Sequence, residues 1–302
     1  MAMRRQDSLV EDRTGRAVAE HRSGPLARLV DWLRRRHAAG QPPRGAAALE
    51  APDAATVRQW LWGPGYVIPG DAQHVLALVR PFGLTPSMTM LDVAAGMGGP
   101  ARAVAEATGA TVAGLERDSD LARQGMALSL SLRMHRRAPV GVYDPEGFDL
   151  PHAHYDCALG REATYAVRDK ERFLRVLMQG LKPQGAIVLT EFVLGRSADR
   201  RRLAAWAPLP AYPPYLWTLD RYEDCLRSLG FEPFIMSDMS SAYRGMVIAG
   251  WTRLTQLPEL HGLPRGYFVP IIDEAERAMR TIEALDAGLL RMVHIAAVGR
   301  RG

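Results

Sequence analysis

The sequence predicts an α/β fold: a doubly wound, mostly parallel sheet of seven strands with helices on both faces. Three observations predict it. Apolar runs of strand length alternate with helix-length segments through short connections, the pattern of repeated strand–helix–strand units. A run of small residues, 94–99, joins an apolar strand to a helix-like segment that opens on Pro100. The chain has 302 residues, of which 47% are hydrophobic, enough for one large domain with a buried sheet and an appendage.

From the N-terminus, residues 1–24 are polar and mixed in charge and read as flexible. Residues 25–37 place Leu26, Leu29, Val30 and Leu33 at helical spacing, with a basic opposite face. Such a helix suits an amphipathic appendage, a lid, a dimer contact or a membrane-surface element. Residues 40–51, rich in Ala, Pro and Gly, read as a linker. Residues 53–61 read as a short helix capped by Asp53. Together these give a flexible and helical N-terminal extension, 1–57, ahead of a main domain, 58–302.

The main domain opens on a turn-rich aromatic stretch, 62–70, and a first core helix, 71–79. The predicted strands are 88–94, 111–116, 138–143, 155–159, 186–193, 231–237 and 289–298. Two long insertions interrupt the alternation. Residues 194–217 contain Trp206, Pro208, Pro210, Tyr212, Pro213, Pro214 and Tyr215; residues 239–270 contain Trp251, His261, Tyr267 and Phe268. Long connections of this kind often act as lids, and their aromatics can line an apolar pocket.

Composition narrows the function classes. The net charge is +5, carried almost wholly by arginine, since Lys170 and Lys182 are the only lysines. The runs 34–36 and 200–202 are short solvated faces without interleaved aromatics, so no nucleic-acid partner is expected. Cys157 and Cys225 fall in separate predicted elements, which argues against a disulfide framework and for a reducing cytoplasm. No apolar run reaches the roughly 20 residues that span a bilayer, and no stable membrane insertion is expected. His152 and His154 lack a third ligand at metal-site spacing, so no metal is expected. A homo-oligomer remains compatible with the sequence.

The loop 94–99 carries most of the chemical information. Small residues let the backbone approach a ligand, so a side chain at Gly98 would stand in the way. Pro100 suits the first helical position, and the free amides there favour a negative ligand group. The spacing Gly96-x-Gly98-x-x-Ala101, followed by Glu116, fits a dinucleotide fingerprint. S-adenosylmethionine fits as well. Asp92 lies just before the loop, where it can reach an ammonium and would repel a pyrophosphate. A second acid, Asp144, ends the third strand, where it could take an adenine amino group.

The run Leu91-Asp92-Val93-Ala94-Ala95-Gly96-Met97-Gly98-Gly99-Pro100-Ala101-Arg102 resembles the first motif of class I S-adenosylmethionine-dependent methyltransferases, a Rossmann-like family. Ala94 stands where that family more often has Gly. Leu181-Lys182-Pro183-Gln184-Gly185-Ala186-Ile187-Val188-Leu189-Thr190-Glu191 resembles the family's turn into its fifth strand, with Gln184 where Gly is commoner. The resemblance covers roughly residues 60–300 and is closest in look to the small-molecule branch: phosphoethanolamine, sterol and quinone methyltransferases. It implies transfer of the methyl group of S-adenosylmethionine to an N, O or C nucleophile of a small molecule by in-line displacement. A catalytically idle binding protein of the same fold is the alternative, and an NAD-dependent oxidoreductase a further one.

The resemblance implies a cofactor site built from Tyr66, Asp92, Ala94, Ala95, Gly96, Gly98, Glu116, Arg117, Asp144, Pro145 and Gly160. In that site Glu116 takes the ribose hydroxyls, and the face of Tyr66 lies near the sulfonium, where a cation–π contact could stabilise it. Residues 160–173 resemble the matching part of phosphoethanolamine N-methyltransferases, which usually place a catalytic His where this chain has Ala166. That departure leaves Glu162 and Tyr165 as candidates for binding or deprotonating an acceptor, with Tyr66 beside them. Arg161, Glu162, Tyr165, Trp206, Tyr212 and Tyr215 are the candidate substrate-binding residues.

Overall fold

A computed structural model describes residues 25–38, 51–204, 206, 212–257, 263 and 265–300. The expected flexible segment 1–24, most of the linker 40–51, Pro208, Pro210 and His261 lie outside the described residues. Seven strands form one sheet: β1 (Thr89–Val93), β2 (Thr111–Glu116), β3 (Val140–Val142), β4 (Tyr155–Arg161), β5 (Leu181–Leu194), β6 (Phe231–Asp238) and β7 (Leu290–Gly299). Their order is β3-β2-β1-β4-β5-β7-β6. All pairings are parallel except those of β7, which runs antiparallel to both β5 and β6. The order reverses between β1 and β4, and ligands bind beyond the carboxyl ends of strands at such a switch point.

Ten α-helices are described: α1 (Pro25–Ala38), α2 (Ala54–Trp62), α3 (Ala72–Val79), α4 (Gly99–Thr108), α5 (Ser119–Ser131), α6 (Lys170–Gly180), α7 (Arg200–Ala204), α8 (Leu219–Ser228), α9 (Ser240–Gln256) and α10 (Phe268–Asp286). Several of their starts follow from side-chain caps that satisfy free backbone amides. Asp53 accepts from Thr56 N at 2.7 Å, and Asp71 accepts from His74 N at 3.0 Å. Asp118, Asp169 and Thr218 do the same for α5, α6 and α8.

The central strands are buried on both faces, so alternate side chains feed two cores. Met90, Cys157, Leu159 and Val188 join one with α2, α4, α9 and α10. Leu91, Ala158, Ile187 and Leu189 join the other with α6 and α8. The N-terminal helix α1 lays Leu26, Leu29, Val30 and Leu33 into the first core. Trp32 meets Phe268 edge-on at 6.5 Å, and Arg34 pairs with Glu276, which fastens α1 to α10.

Most strand bounds shift by one or two residues from the sequence expectation, and two shifts bear on the site and the sheet. β4 runs on to Arg161, two residues past 159, and β5 begins at Leu181, not 186, after a register shift opposite Tyr155 and Cys157. The insertions are partly helical: 194–217 contains α7, and 239–270 contains α9 and the start of α10. No helix among the described residues is long and apolar enough to cross a membrane.

Candidate functional site

The turn after β1 has the backbone geometry that its small residues suggest. Ala94, Gly96 and Gly98 all have positive φ, at 66°, 55° and 73°. This explains why Gly is commoner than Ala at position 94 in the family that the motif resembles: a Cβ strains a left-handed residue. Gly96 N donates to Glu116 Oε2 at 2.7 Å, and Asp118 N donates to Glu116 Oε1 at 2.9 Å. Burial raises the pKa of Glu116, and these amide hydrogen bonds oppose the rise. Glu116 therefore holds the loop as well as facing the cavity mouth.

A Cβ on Gly98 would meet Val140 Cγ2 at 2.6 Å and Arg102 Nη1 at 2.9 Å. The position is closed by the protein's own side chains, so a side chain there would disturb the packing as well as any ligand. The close approach on the open side is at Gly96, whose Cβ would stand 2.5 Å from Val67 Cγ2. Val67 belongs to the aromatic stretch 63–70, which lies over the loop. Gly99 N donates to Gly65 O at 3.0 Å, Gly65 N donates to Gln59 Oε1 at 2.9 Å, and Arg161 Nη2 donates to Pro69 O.

Beneath that stretch is a small hollow, lined in part by Tyr66, Asp92, Ala94, Ala95, Gly96 and Arg161. Three buried polar atoms around it have no hydrogen-bond partner: Tyr66 OH, Asp92 Oδ2 and Arg161 Nη1. Asp92 is 1% exposed. Burial pushes its carboxyl up to about 7, against the pull of Arg161. Burial also pushes the Tyr66 hydroxyl up to about 12 and lowers the pKa of Arg161. Unpaired buried polar groups are costly, and their convergence on one hollow marks a place built for a polar ligand.

A second, larger cavity of about 160 Å³ adjoins it. Glu116, Arg117 and Tyr143 stand at one end; Glu162, Tyr165, Phe192, Tyr243 and Trp251 line the interior. Glu162 has φ 52°, a left-handed conformation rare for a glutamate. Thr190 O accepts from its amide at 2.7 Å. Glu191 Oε1 accepts from the next two amides, Ala163 N and Thr164 N, both at 2.9 Å. These bonds hold the turn that aims Glu162 into the cavity. Burial pushes the Glu162 carboxyl up to about 7, opposed by Arg161 and by a hydrogen bond from Tyr243.

The other expected residues divide. Tyr165 lines the cavity and packs edge-on against Phe192 at 6.4 Å and Trp206 at 6.2 Å. Trp206 stands behind them as a support, with Nε1 donating to Thr281 Oγ1 at 3.1 Å. Tyr212 lines the mouth beneath the Arg117 guanidinium, 3.8 Å from the ring centroid. Tyr215 is not brought to the cavity: its hydroxyl accepts from Arg168 at 3.2 Å and its carbonyl from Lys170. Gly160 is packed among Leu189, Ala163 and Val93. Asp144 is exposed beside the buried Pro145, and its Oδ1 accepts from Glu146 N at 3.0 Å. Ala166, where the resemblance places a histidine, lines the cavity. His152 and His154 are exposed, and Cys157 and Cys225 are free thiols.

The cavity also uses residues that the sequence reasoning missed: Arg58 and Trp62 from α2, Tyr243 and Val247 from α9, and Glu274 and Arg277 from α10. One signal was available. Tyr243, Val247 and Trp251 recur every four residues and so share a helix face.

A family model described as a methyltransferase domain matches residues 68–234. The chain belongs to this methyltransferase domain family. It is 24% identical over 195 residues to phosphoethanolamine N-methyltransferase 2 of Caenorhabditis elegans, covering 63% of this chain and 43% of that protein. It is 29% identical over 172 residues to the sterol 24-C-methyltransferase of Eremothecium gossypii, covering 55% of this chain and 46% of the relative. The chain thus spans about half the length of the curated relatives it matches. Among solved structures, Haemonchus contortus phosphoethanolamine N-methyltransferase 2, in complex with phosphomonomethylethanolamine and S-adenosylhomocysteine, aligns with a TM-score of 0.72 at 19% identity, over 81% of this chain and 57% of that one. The [4+2]-cyclase SpnF aligns with a TM-score of 0.62 at 19% identity, over 85% of this chain and 100% of that one. The fold is that of class I methyltransferases.

Proposed function

We propose that the chain transfers the methyl group of S-adenosylmethionine to a small-molecule acceptor. One observation carries the reading: Asp92, Arg161 and Tyr66 point unpaired polar atoms into one hollow beside the loop 94–98. An acid and a guanidinium suit the ammonium and carboxylate of an amino-acid end. A pyrophosphate would meet the Asp92 carboxylate instead, which disfavours the dinucleotide reading. On this reading Glu116, at the end of β2, accepts the ribose hydroxyls, and Asp144, after β3, takes the adenine amino group. S-adenosylmethionine, when bound, supplies a methyl group on a sulfonium open to in-line displacement.

The remaining work falls to this chain's own side chains. The stretch 63–70 excludes water from the loop, and the rings of Tyr165, Phe192 and Tyr243 orient an acceptor, which can supply much of the rate. Glu162, with its carboxyl near 7, can take a proton from the acceptor at neutral pH. The free thiols of Cys157 and Cys225 suit a reducing cytoplasm.

Thermal shift and calorimetry with S-adenosylhomocysteine, S-adenosylmethionine and NAD test the reading. The two adenosyl ligands are expected to bind and stabilise the protein, and NAD is not. Binding of NAD alone would overturn it. Binding without methyl transfer to any acceptor would leave the idle binding protein as the better description.

A further inference from the structure

Trp62, Tyr165, Phe192, Tyr243, Val247 and Trp251 give the large cavity aromatic and apolar walls. The charged side chains that line it are already met from within the protein. Arg58 Nε and Nη2 both lie 3.2 Å from Glu274 Oε2, and Arg277 Nε lies 3.4 Å from the same oxygen. Arg58 also faces the Glu162 carboxyl. Arg161 donates to Pro69 O and lies near both Glu162 and Asp92. Its unpaired nitrogen, Nη1, is the one that serves the donor hollow on the proposed reading. Arg117 lies against the Tyr212 ring at the mouth. Glu116 is taken by the amides of Gly96 and Asp118. A charged acceptor would have to draw its partner away from one of these contacts. Breaking a buried ion pair is costly, so the cavity favours a molecule that brings no charge.

Glu162 keeps capacity to accept hydrogen bonds. A carboxylate offers about four lone-pair sites. Tyr243 occupies one of them, and burial raises its hydroxyl well above the usual tyrosine range, so Tyr243 stays protonated and donates. The charged groups that face Glu162 are Arg161, Arg58 and Glu274. Tyr165 and Ala166 line the cavity with it, and Ala166 offers no polar atom beyond its backbone. The group that meets Glu162 must therefore bring a hydrogen, as a hydroxyl does. A phenol titrates at about 10, close enough to a carboxyl raised to about 7 for proton transfer. An aliphatic alcohol holds its proton far more tightly.

We infer that the acceptor is an uncharged, largely apolar molecule that presents a phenol or enol hydroxyl to Glu162, with its body against the rings of Tyr165, Phe192 and Trp251. This rests on the proposed methyltransferase reading and adds to it the class of acceptor and the atom methylated. Glu162 takes the hydroxyl proton, the acceptor oxygen bonds to the methyl carbon, and the electron pair of the broken carbon–sulfur bond stays on sulfur. A phosphate-bearing acceptor would instead have to compete with Glu274 for Arg58 and Arg277.

The test uses the full chain loaded with S-adenosylhomocysteine. Calorimetry at neutral pH compares four probes of similar bulk: 4-propylphenol, its methyl ether, 3-phenylpropionate and 3-phenylpropylammonium. The phenol should bind about tenfold or more tighter than the anion and the cation, which bring an unmatched charge. It should bind about fivefold or more tighter than the ether, which has no hydrogen to donate. Glu162→Gln keeps the volume and removes the charge. It should weaken the phenol about fivefold, leave the ether unchanged and tighten the anion, a pair of opposite changes that loss of folding cannot imitate. An ion that binds as tightly as the phenol, an ether that matches it, binding of no probe, or a phenol affinity indifferent to Glu162→Gln would overturn the inference and leave the donor site standing. Failure of S-adenosylhomocysteine itself to bind would overturn the methyltransferase reading and this inference with it.

Discussion

Replacing Glu162 by Gln should stabilise the protein in the absence of any ligand, and only at high pH. Burial raises the Glu162 carboxyl from its ordinary 4.5 to about 7. A carboxyl raised in this way stabilises the fold fully below its unfolded value, and that contribution disappears as pH climbs through the folded value. The interval from 4.5 to about 7, at about 1.36 kcal/mol per pH unit, amounts to about 3 kcal/mol. Water reaching the cavity screens part of it, which leaves about 1–3 kcal/mol. Gln keeps the volume of Glu and an oxygen to accept from Tyr243, but it carries no charge. Glu162→Gln should therefore raise stability at pH 8 by about 1–3 kcal/mol, or a melting temperature by roughly 2–8 °C. At pH 4.5, where folded Glu162 is already protonated, the gain should shrink below about 0.5 kcal/mol. Melting curves of both proteins at the two pH values decide the matter. An equal shift at both, or a loss of stability at pH 8, would refute the view that an ionised Glu162 is held in the cavity against its solvation.

Glu116→Ala removes the carboxylate proposed to accept from ribose, a charged hydrogen bond worth about 1.5–3 kcal/mol, so S-adenosylhomocysteine should bind at least about tenfold more weakly by calorimetry. Undiminished affinity would mean that Glu116 serves only to hold Gly96 and Asp118. Gly98→Val drives a side chain into Val140 and Arg102 and should lower the melting temperature of the ligand-free protein, not ligand affinity alone. A variant that melts like the parent and merely fails to bind would restore the simpler view of that glycine. Gln184 has φ 63° in the turn within β5. Gln184→Gly should relieve about 1–2 kcal/mol of left-handed strain and give back about 0.4–1 kcal/mol to the unfolded chain, a small net gain visible by denaturant melting.

The donor side was readable because it is local. Asp92, the loop 94–98 and Glu116 lie within 25 consecutive residues on adjacent strands, and the strand–turn–helix pattern fixes their arrangement. Both positions where the family more often has Gly, Ala94 and Gln184, fall at positive φ, so the sequence showed where Gly was missing before the structure showed why it is favoured. The acceptor side was readable only in part. Tyr165 and Glu162 follow a strand end and reach the cavity, as the position predicts. Trp206 and Tyr215 follow another strand end, yet Trp206 turns to Thr281 and Tyr215 to Arg168. Local aromatic content cannot say which face of a long connection a ring will take. Arg58, Tyr243, Glu274 and Arg277 come from helices far apart in sequence, and only the packing of α2, α9 and α10 brings them together.

The two cavities share Val67, Ile68, Ala94 and Arg161, and the chain passes from one to the other at Arg161–Glu162. Arg161 is the last residue of β4 and borders the hollow with Asp92 and Tyr66; Glu162, next in sequence, faces the large cavity. Successive residues of a strand already point to opposite sides. Here the chain leaves the strand through the left-handed Glu162, fixed by Thr190 O on one side and by Glu191 on the next two amides. Such a conformation costs of order 1–3 kcal/mol and persists only when its surroundings over-determine it, a pattern that clusters at functional sites. Glu191 is itself fully buried and pushed up to about 8 by that burial, so the clamp on the turn is costly as well. The fold thus spends stability at a single turn to set a guanidinium over the donor hollow and a carboxyl in the acceptor cavity, one residue apart. On the proposed reading, that spacing would set proton acceptance one residue from the guanidinium that borders the hollow.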